Sequence, residues 1–249
     1  MRRQLLLTKW KRLAITFNAV RKSEGDVHAG IRFFDAMSDI LGRGEGTMIG
    51  LMRASESGRR ALEEQRSLFD PITNRDRLRN LPKGTLGRAY VGFADAREIY
   101  PEQFEKLLTE AIGRSSDDTE HGSPNAHFVH DRYRHLHDVW HVVLGYDTDE
   151  DGELGILACM GRQNGYRAHY VAAFVQACVG AIRGNLNRLR VFGRGWRRAR
   201  QAECMISQDW ETLLELPLEE VRTRLNVYPL PNPDLDPALG FPASKGVTM

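Results

Sequence analysis

Arg132-Tyr133-Arg134-His135-Leu136-His137-Asp138-Val139-Trp140-His141-Val142-Val143-Leu144-Gly145 is the stretch on which the reading of this chain turns. Advancing about 100° per residue from His137 puts Asp138 roughly 100° and His141 roughly 40° around a helix, so these three share one face. Arg134 and His130 fall beside them. Tyr133, Leu136, Val139, Trp140, Val143 and Leu144 occupy the opposite arc, enough apolar surface to bury the helix while the imidazoles face a pocket or solvent. Gly145 ends the helix because glycine tolerates left-handed backbone angles. By itself the polar face reads equally well as a solvated surface, so a fourth group has to decide.

That group lies just downstream. Asp147 to Gly152 forms a tight acidic turn that sends the chain back toward the helix it has left, and Glu153 stands at the return. Two imidazoles at i and i+4, an adjacent carboxylate and a second carboxylate make a mixed nitrogen and oxygen site. The candidate ligands are therefore His137, Asp138, His141 and Glu153. They suit a divalent metal, zinc first and then iron or manganese, with magnesium the poorest match. Asp147, Asp149, Asp151 and Gly152 also imitate positions 1, 3, 5 and 6 of a calcium-binding EF-hand loop, but position 12 is Ala158 where a bidentate carboxylate is needed, so that reading fails.

Working outward, apolar residues recur at helical spacing from Asp26 to Arg66, with Gly42 to Gly46 as a break between two helices and Ser55 to Arg66 as charged helix surface. Pro71 and Pro82 bracket a turn-rich connector. Leu81-Pro82-Lys83-Gly84-Thr85-Leu86-Gly87 is expected to cap a helix holding Tyr90, Phe93 and Ile99. Ile112 to Ala126 is polar and glycine-bearing and reads as a mobile loop. Tyr166 to Leu189 and Arg197 to Leu216 read as helices, with Gly193 and Gly195 suiting a loop between them. Tyr228 to Met249, with five of the ten prolines, reads as an extended tail. Strand alternation is nearly absent. The expected fold is all-α, one helical domain over residues 1–228 followed by a proline-rich tail over 229–249.

Composition narrows the function classes. With 41% hydrophobic and 27% charged residues over 249 positions, the chain has the makeup of an ordinary globular protein. A formal charge of +2 gives no nucleic-acid footprint. Cys159, Cys178 and Cys204 form neither a disulfide framework nor a thiolate metal site, and Cys178 reads as packing. No apolar run reaches the about 18 residues of a spanning helix, so a membrane is met only at its surface. The first 23 residues hold seven basic residues and no acid, a makeup shared by organelle presequences and interfacial helices. Leu6, Trp10, Leu13, Phe17 and Val20 make one helical stripe there, taken as the packing face of a retained helix. Trp10, Trp140 and Trp210 read as core or interface anchors. Arg183, Arg188, Arg190, Arg194, Arg197, Arg198 and Arg200 cluster with Phe192 and Trp196, either as solvated surface or as a site for phosphates, anionic head groups or a diphosphate-bearing prenyl lipid.

His137-Asp138-x-x-His141, followed after eleven residues by Glu153, resembles the motif of the Coq-four family of ubiquinone (coenzyme Q) biosynthesis proteins. Arg132-Tyr133-Arg134 before it, Leu144-Gly145 after it and Gly152-Glu153 at its end are similar to that family. So are Gly44-Glu45-Gly46-Thr47 with Gly58-Arg59, the block Leu81 to Tyr90, and Trp210-Glu211 to Leu225-Asn226. The resemblance covers most of residues 10–228. It implies a protein acting late in the pathway on polyprenylated ring intermediates, removing the ring carboxylate with hydroxylation at that carbon. A divalent metal would sit on His137, Asp138, His141 and Glu153, and an apolar pocket would take the prenyl lipid. It implies other ubiquinone biosynthesis enzymes as partners, a possible homodimer, and a place at the cytoplasmic face of a bacterial inner membrane or the matrix face of the mitochondrial one. The alternative is a lipid-binding scaffold for those enzymes, in which the metal serves structure.

Overall fold

Local signals in the sequence start seven of the fourteen helices among the described residues. Side-chain oxygens of Asp26, Ser55, Asn74, Thr85, Ser123, Asp149 and Asp209 each accept a backbone N–H three residues on, each cap contributing about 1 kcal/mol. The computed structural model describes residues 2–22, 26–112, 123–228, 235–236 and 241–242. Within them the chain runs through α1 (Arg2–Lys22), α2 (Val27–Leu41), α3 (Glu45–Arg53), α4 (Glu56–Glu64), α5 (Phe69–Thr73), α6 (Arg75–Asn80) and α7 (Leu86–Ala96). It continues through α8 (Pro101–Ile112), α9 (Pro124–Leu144), α10 (Glu150–Gln163), α11 (Arg167–Ile182), α12 (Asn187–Gln201), α13 (Trp210–Leu213) and α14 (Leu218–Arg224). The only strands among the described residues are β1 (Leu235–Asp236) and β2 (Phe241–Pro242), an antiparallel pair of two residues each. The fold is all-α, as the periodicity indicates.

α9 runs through the main core. Its apolar arc, Tyr133, Leu136, Val139, Trp140, Val143 and Leu144, is buried against Met48 and Met52 of α3, Leu86, Tyr90 and Phe93 of α7, and Met205, Ile206, Trp210 and Val221 further on. α10, α11 and α12 pack on one another beside it. On the outside, α1 lies on α2, where Leu13 joins Met37, Phe33 and Phe34, and Arg12 pairs with Asp35 and Asp39.

Several boundaries differ from the sequence reading. The helix expected over 166–189 stops at Ile182, because Gly184 turns with φ 92°. Gly193 and Gly195 are not in a loop but inside α12. A Cβ at Gly195 would stand 2.6 Å from the Gly155 carbonyl oxygen, so glycine there lets α12 press onto α10. The helix expected over 197–216 is cut at Gln201, and only Trp210–Leu213 resumes it. The connector between Pro71 and Pro82 holds two short helices, with Pro71 tolerated in the first turn of α5. Trp140 and Trp210 are fully buried, whereas Trp10 is 52% exposed on α1 and anchors no core. Of the expected mobile loop, residues 113–122 lie outside the described residues, as does most of the proline-rich tail.

Candidate metal centre

α9 brings His137 and His141 to one face by helical spacing, and its last turn is fixed completely. The carbonyl of His141 accepts from the backbone N–H groups of Gly145 and Tyr146. Those of Val142 and Val143 accept from Arg222 of α14, and that of Leu144 accepts from Arg198 of α12. Four carbonyls that a helix end leaves without partners are therefore all satisfied. Gly145 takes the left-handed conformation (φ 73°) and turns the chain toward α10.

The acidic turn is spent on structure, not on calcium. Asp147 accepts from Arg97 at 2.6 Å and from its neighbour's N–H, Asp149 caps α10, and Asp151 pairs with Arg188. Glu153 then falls in the first turn of α10. The carboxylate oxygens of Glu153 lie 3.3 Å from His137 Nε2 and 3.3 Å from His141 Nε2, and the two Nε2 atoms lie 3.2 Å apart. Donors bound to one tetrahedral ion at about 2.0–2.1 Å are separated by roughly 3.3 Å, the spacing of the two Nε2 atoms, and each of these nitrogens faces its own Glu153 oxygen, Oε2 for His137 and Oε1 for His141. Ligand atoms of His137, Asp138 and His141 also lie within 4.8 Å of one another, a second grouping that shares the two imidazoles.

Orientation of the imidazoles fits the same arrangement. His141 is fully buried, and its Nδ1 lies 3.2 Å from the Tyr146 carbonyl. Donation there places the proton on Nδ1 and leaves the Nε2 lone pair facing His137 and Glu153. The His141 ring stacks on Phe93 of α7 at 6.0 Å, the Arg97 guanidinium covers the other partner of that stack at 4.2 Å from the Phe93 centroid, and Arg97 is held by Asp147. Burial opposes a charge on His137, but the Glu153 carboxylate prevails and pushes it up to about 9. Burial likewise opposes a charge on Glu153, and His137 and His141 hold it well below the usual carboxylate range.

Other groups close in from residues the sequence reading did not assign to the site. Tyr90 on α7 is buried with its hydroxyl unpartnered among the described residues, and burial, with Asp138 adding to it, raises its ionisation far above the usual range. His169 on α11 stacks on Tyr166 at 3.9 Å, and Tyr133 Oη lies 2.9 Å from its Nδ1. Burial, with the nearby His137 and His130, pushes His169 down to about 3, so it is neutral and accepts the tyrosine proton. His130 stands 3.1 Å from Glu45. The spacing of Tyr90, Phe93 and Arg97 at i, i+3 and i+7 was the available signal for α7, whereas nothing local in the sequence points to His169. A cleft of ≈ 330 Å³ lies elsewhere on α9, lined in part by His127, Asp131 and His135, and contains none of the four predicted ligands.

The fold and the site together define an all-helical protein in which two imidazoles and a carboxylate converge between α9 and α10. Residues 45–231 match the family model described as coenzyme Q (ubiquinone) biosynthesis protein Coq4, and the chain belongs to that family. A relative from Schizosaccharomyces japonicus, named ubiquinone biosynthesis protein coq4, mitochondrial, is 32% identical over 189 residues, covering 72% of this chain and 71% of that one. The mitochondrial COQ4 homologue of Aedes aegypti is 31% identical over 71% of this chain and 61% of its own length. A crystal structure from Nostoc punctiforme, of a protein named for ubiquinone biosynthesis, has the same fold with a TM-score of 0.63 at 21% identity, covering 89% of this chain and 95% of that one.

Proposed function

We propose that this Coq4-family chain, a ubiquinone biosynthesis protein, binds a divalent metal at His137, His141 and Glu153, with Asp138 beside it. In this reading the carboxyl group of a polyprenylated aromatic ring leaves as carbon dioxide and a hydroxyl from water takes its place on that carbon, the two electrons and two protons released reducing dioxygen to hydrogen peroxide. The observation that carries the reading is the convergence of two imidazole Nε2 atoms and one carboxylate within 3.2–3.3 Å of each other. A bound ion supplies Lewis acidity toward the ring carboxylate or the neighbouring phenolic oxygen. The protein's own part is orientation. The Tyr146 carbonyl sets the His141 tautomer, Phe93 and Arg97 fix its ring plane, and the unpartnered Tyr90 hydroxyl beside Asp138 is a donor for a substrate oxygen. The prenyl chain takes an apolar path between helices, because so long a hydrocarbon is expelled from water.

The scaffold reading draws on one specific feature. If Asp138 joins the other three, four protein donors complete a tetrahedron and no position stays open, the mark of a structural metal. Two measurements separate the readings. A variant with His137, Asp138, His141 and Glu153 all changed to alanine is expected to leave ubiquinone-deficient cells unrescued, and full rescue would remove the centre from the function. Purified protein is expected to turn over a short-chain carboxylated analogue, whereas stoichiometric lipid binding without turnover would favour the scaffold.

A further inference from the structure

Between Glu153 and Glu203 the sequence holds nine arginines and no acid, in a chain whose net charge is only +2. Three of the nine are occupied: Arg188 by Glu150 and Asp151, Arg198 by the Leu144 and Tyr228 carbonyls, and Arg162 over the Trp196 ring. Arg167, Arg183, Arg190, Arg194, Arg197 and Arg200 are exposed and form no ion pair among the described residues. Arg190, Arg194 and Arg197 follow one another at i, i+4 and i+7 along the outer face of α12.

Beside them α11 turns an apolar flank outward. Phe174, Val175, Val179 and Ile182 are 48%, 51%, 39% and 86% exposed, and the flank continues through Leu186 (62%) and Leu189 (40%) in the turn and the start of α12. Burying such residues elsewhere gives roughly 1.5–3 kcal/mol each, so a continuous flank of six calls for something to cover it. Phe174 of this flank joins Tyr170, Phe192 and Trp196 in a chain of ring contacts at 5.0–6.4 Å. Rings at the level where apolar and charged surface meet are what a membrane interface favours.

We infer that the α11–α12 face is the surface by which this protein docks on an anionic lipid bilayer, α11 sinking its apolar flank among the acyl chains while the arginines engage head-group phosphates. Charge decides between this occupant and a second copy. A two-fold dimer would set the same face against itself, and the acids that reach α12, Glu150 and Asp151, are already paired with Arg188, so six arginines unpaired among the described residues would meet their own copies. An exposed apolar flank with unpaired arginines on the neighbouring helix instead complements a negatively charged lipid surface. The placement deepens the lipid-substrate reading, on which its biological purpose rests. α12 presses on α10 at Gly155, two residues past Glu153, so α10 links the docking face to the histidine–carboxylate centre.

The test is flotation of the full chain with phosphatidylcholine vesicles, with and without phosphatidylglycerol, over a range of salt. Wild-type protein is expected to float with the anionic vesicles and to be released by salt. The variant R183Q/R190Q is expected to partition about thirty-fold less, at about 1 kcal/mol for each arginine near the surface, and V175E/I182E is expected to stay with the soluble fraction. All these side chains are exposed, so bound metal and melting temperature should match wild type, which keeps failure of docking distinct from failure of the metal reading. Flotation of either variant at the wild-type level overturns the inference. So does a wild-type protein that ignores anionic vesicles, or one that dimerises through this face and loses the dimer in V175E/I182E.

Discussion

Glu153 faces two imidazoles with one carboxylate, and it sits 39% exposed while His141 is fully buried. An isosteric amide keeps the shape but removes the charge and turns N–H groups toward one of the nitrogens. Glu153→Gln is therefore expected to lower metal affinity by about 100-fold or more, since loss of even an outer-shell partner costs 10–100-fold. Titration of metal-free protein with a competing chelator measures this, and unchanged affinity would take Glu153 out of the centre. Tyr90 gives a second residue-scale test. A buried hydroxyl without a partner costs about 1–3 kcal/mol, so Tyr90→Phe should raise thermal stability if the hydroxyl truly waits for substrate, while turnover falls. A variant that is less stable would mean that the hydroxyl is already satisfied in the resting protein.

At the scale of elements, α9 is held by what caps its end. Arg222 is 3% exposed and its guanidinium donates to Val142 and Val143 at 3.0 Å each. Arg222→Met leaves both carbonyls buried without partners, and a loss on the order of 3 kcal/mol in urea unfolding is expected from two charge-assisted bonds. Because those carbonyls follow directly on His141, metal affinity should fall as well. α10 shows why part of the site was hard to read. Leu154 to Gly161 are buried on every side, so the segment has no polar face and no helical period, and a sequence reading sees only an apolar run after an acidic turn. α9, with one face wet and one dry, was legible at once.

At the scale of the whole molecule, Glu153 ties α10 to His137 and His141 of α9, so the proposed metal would couple to folding. An ion bound at 100 times its dissociation constant adds about 2.7 kcal/mol. In a chain of this size that corresponds to a melting temperature roughly 5–10 °C higher. Chelation should lower the transition by that amount and zinc should restore it, and a transition indifferent to both would argue against a stably bound metal. Acid should act through a different tie. Burial alone would raise Asp147, but Arg97 and the Thr148 N–H hold it below its ordinary value. A carboxylate depressed in the folded state contributes stability that is complete above its unfolded value of about 3.9 and is lost as pH falls through the folded one. Melting curves of Asp147→Asn should thus lie below wild type at neutral pH and converge with it below about pH 4, and parallel curves would show that the pair carries no linkage.

The sequence by itself determined the helical class, the α9 face that carries His137, Asp138 and His141, and the stop at Gly145, because each of these depends on neighbours within a turn or two. It also placed Glu153 at the return through the acidic turn that precedes it. Only the tertiary structure decided that Tyr90, Phe93 and Arg97 of α7 and His169 of α11 wall the centre, that Arg198 and Arg222 finish α9, and that the arginines of α12 stand beside an uncovered α11. Those relations join residues tens of positions apart, and they are set by which helices pack together, a choice made by the summed burial of whole faces and not by any local pattern.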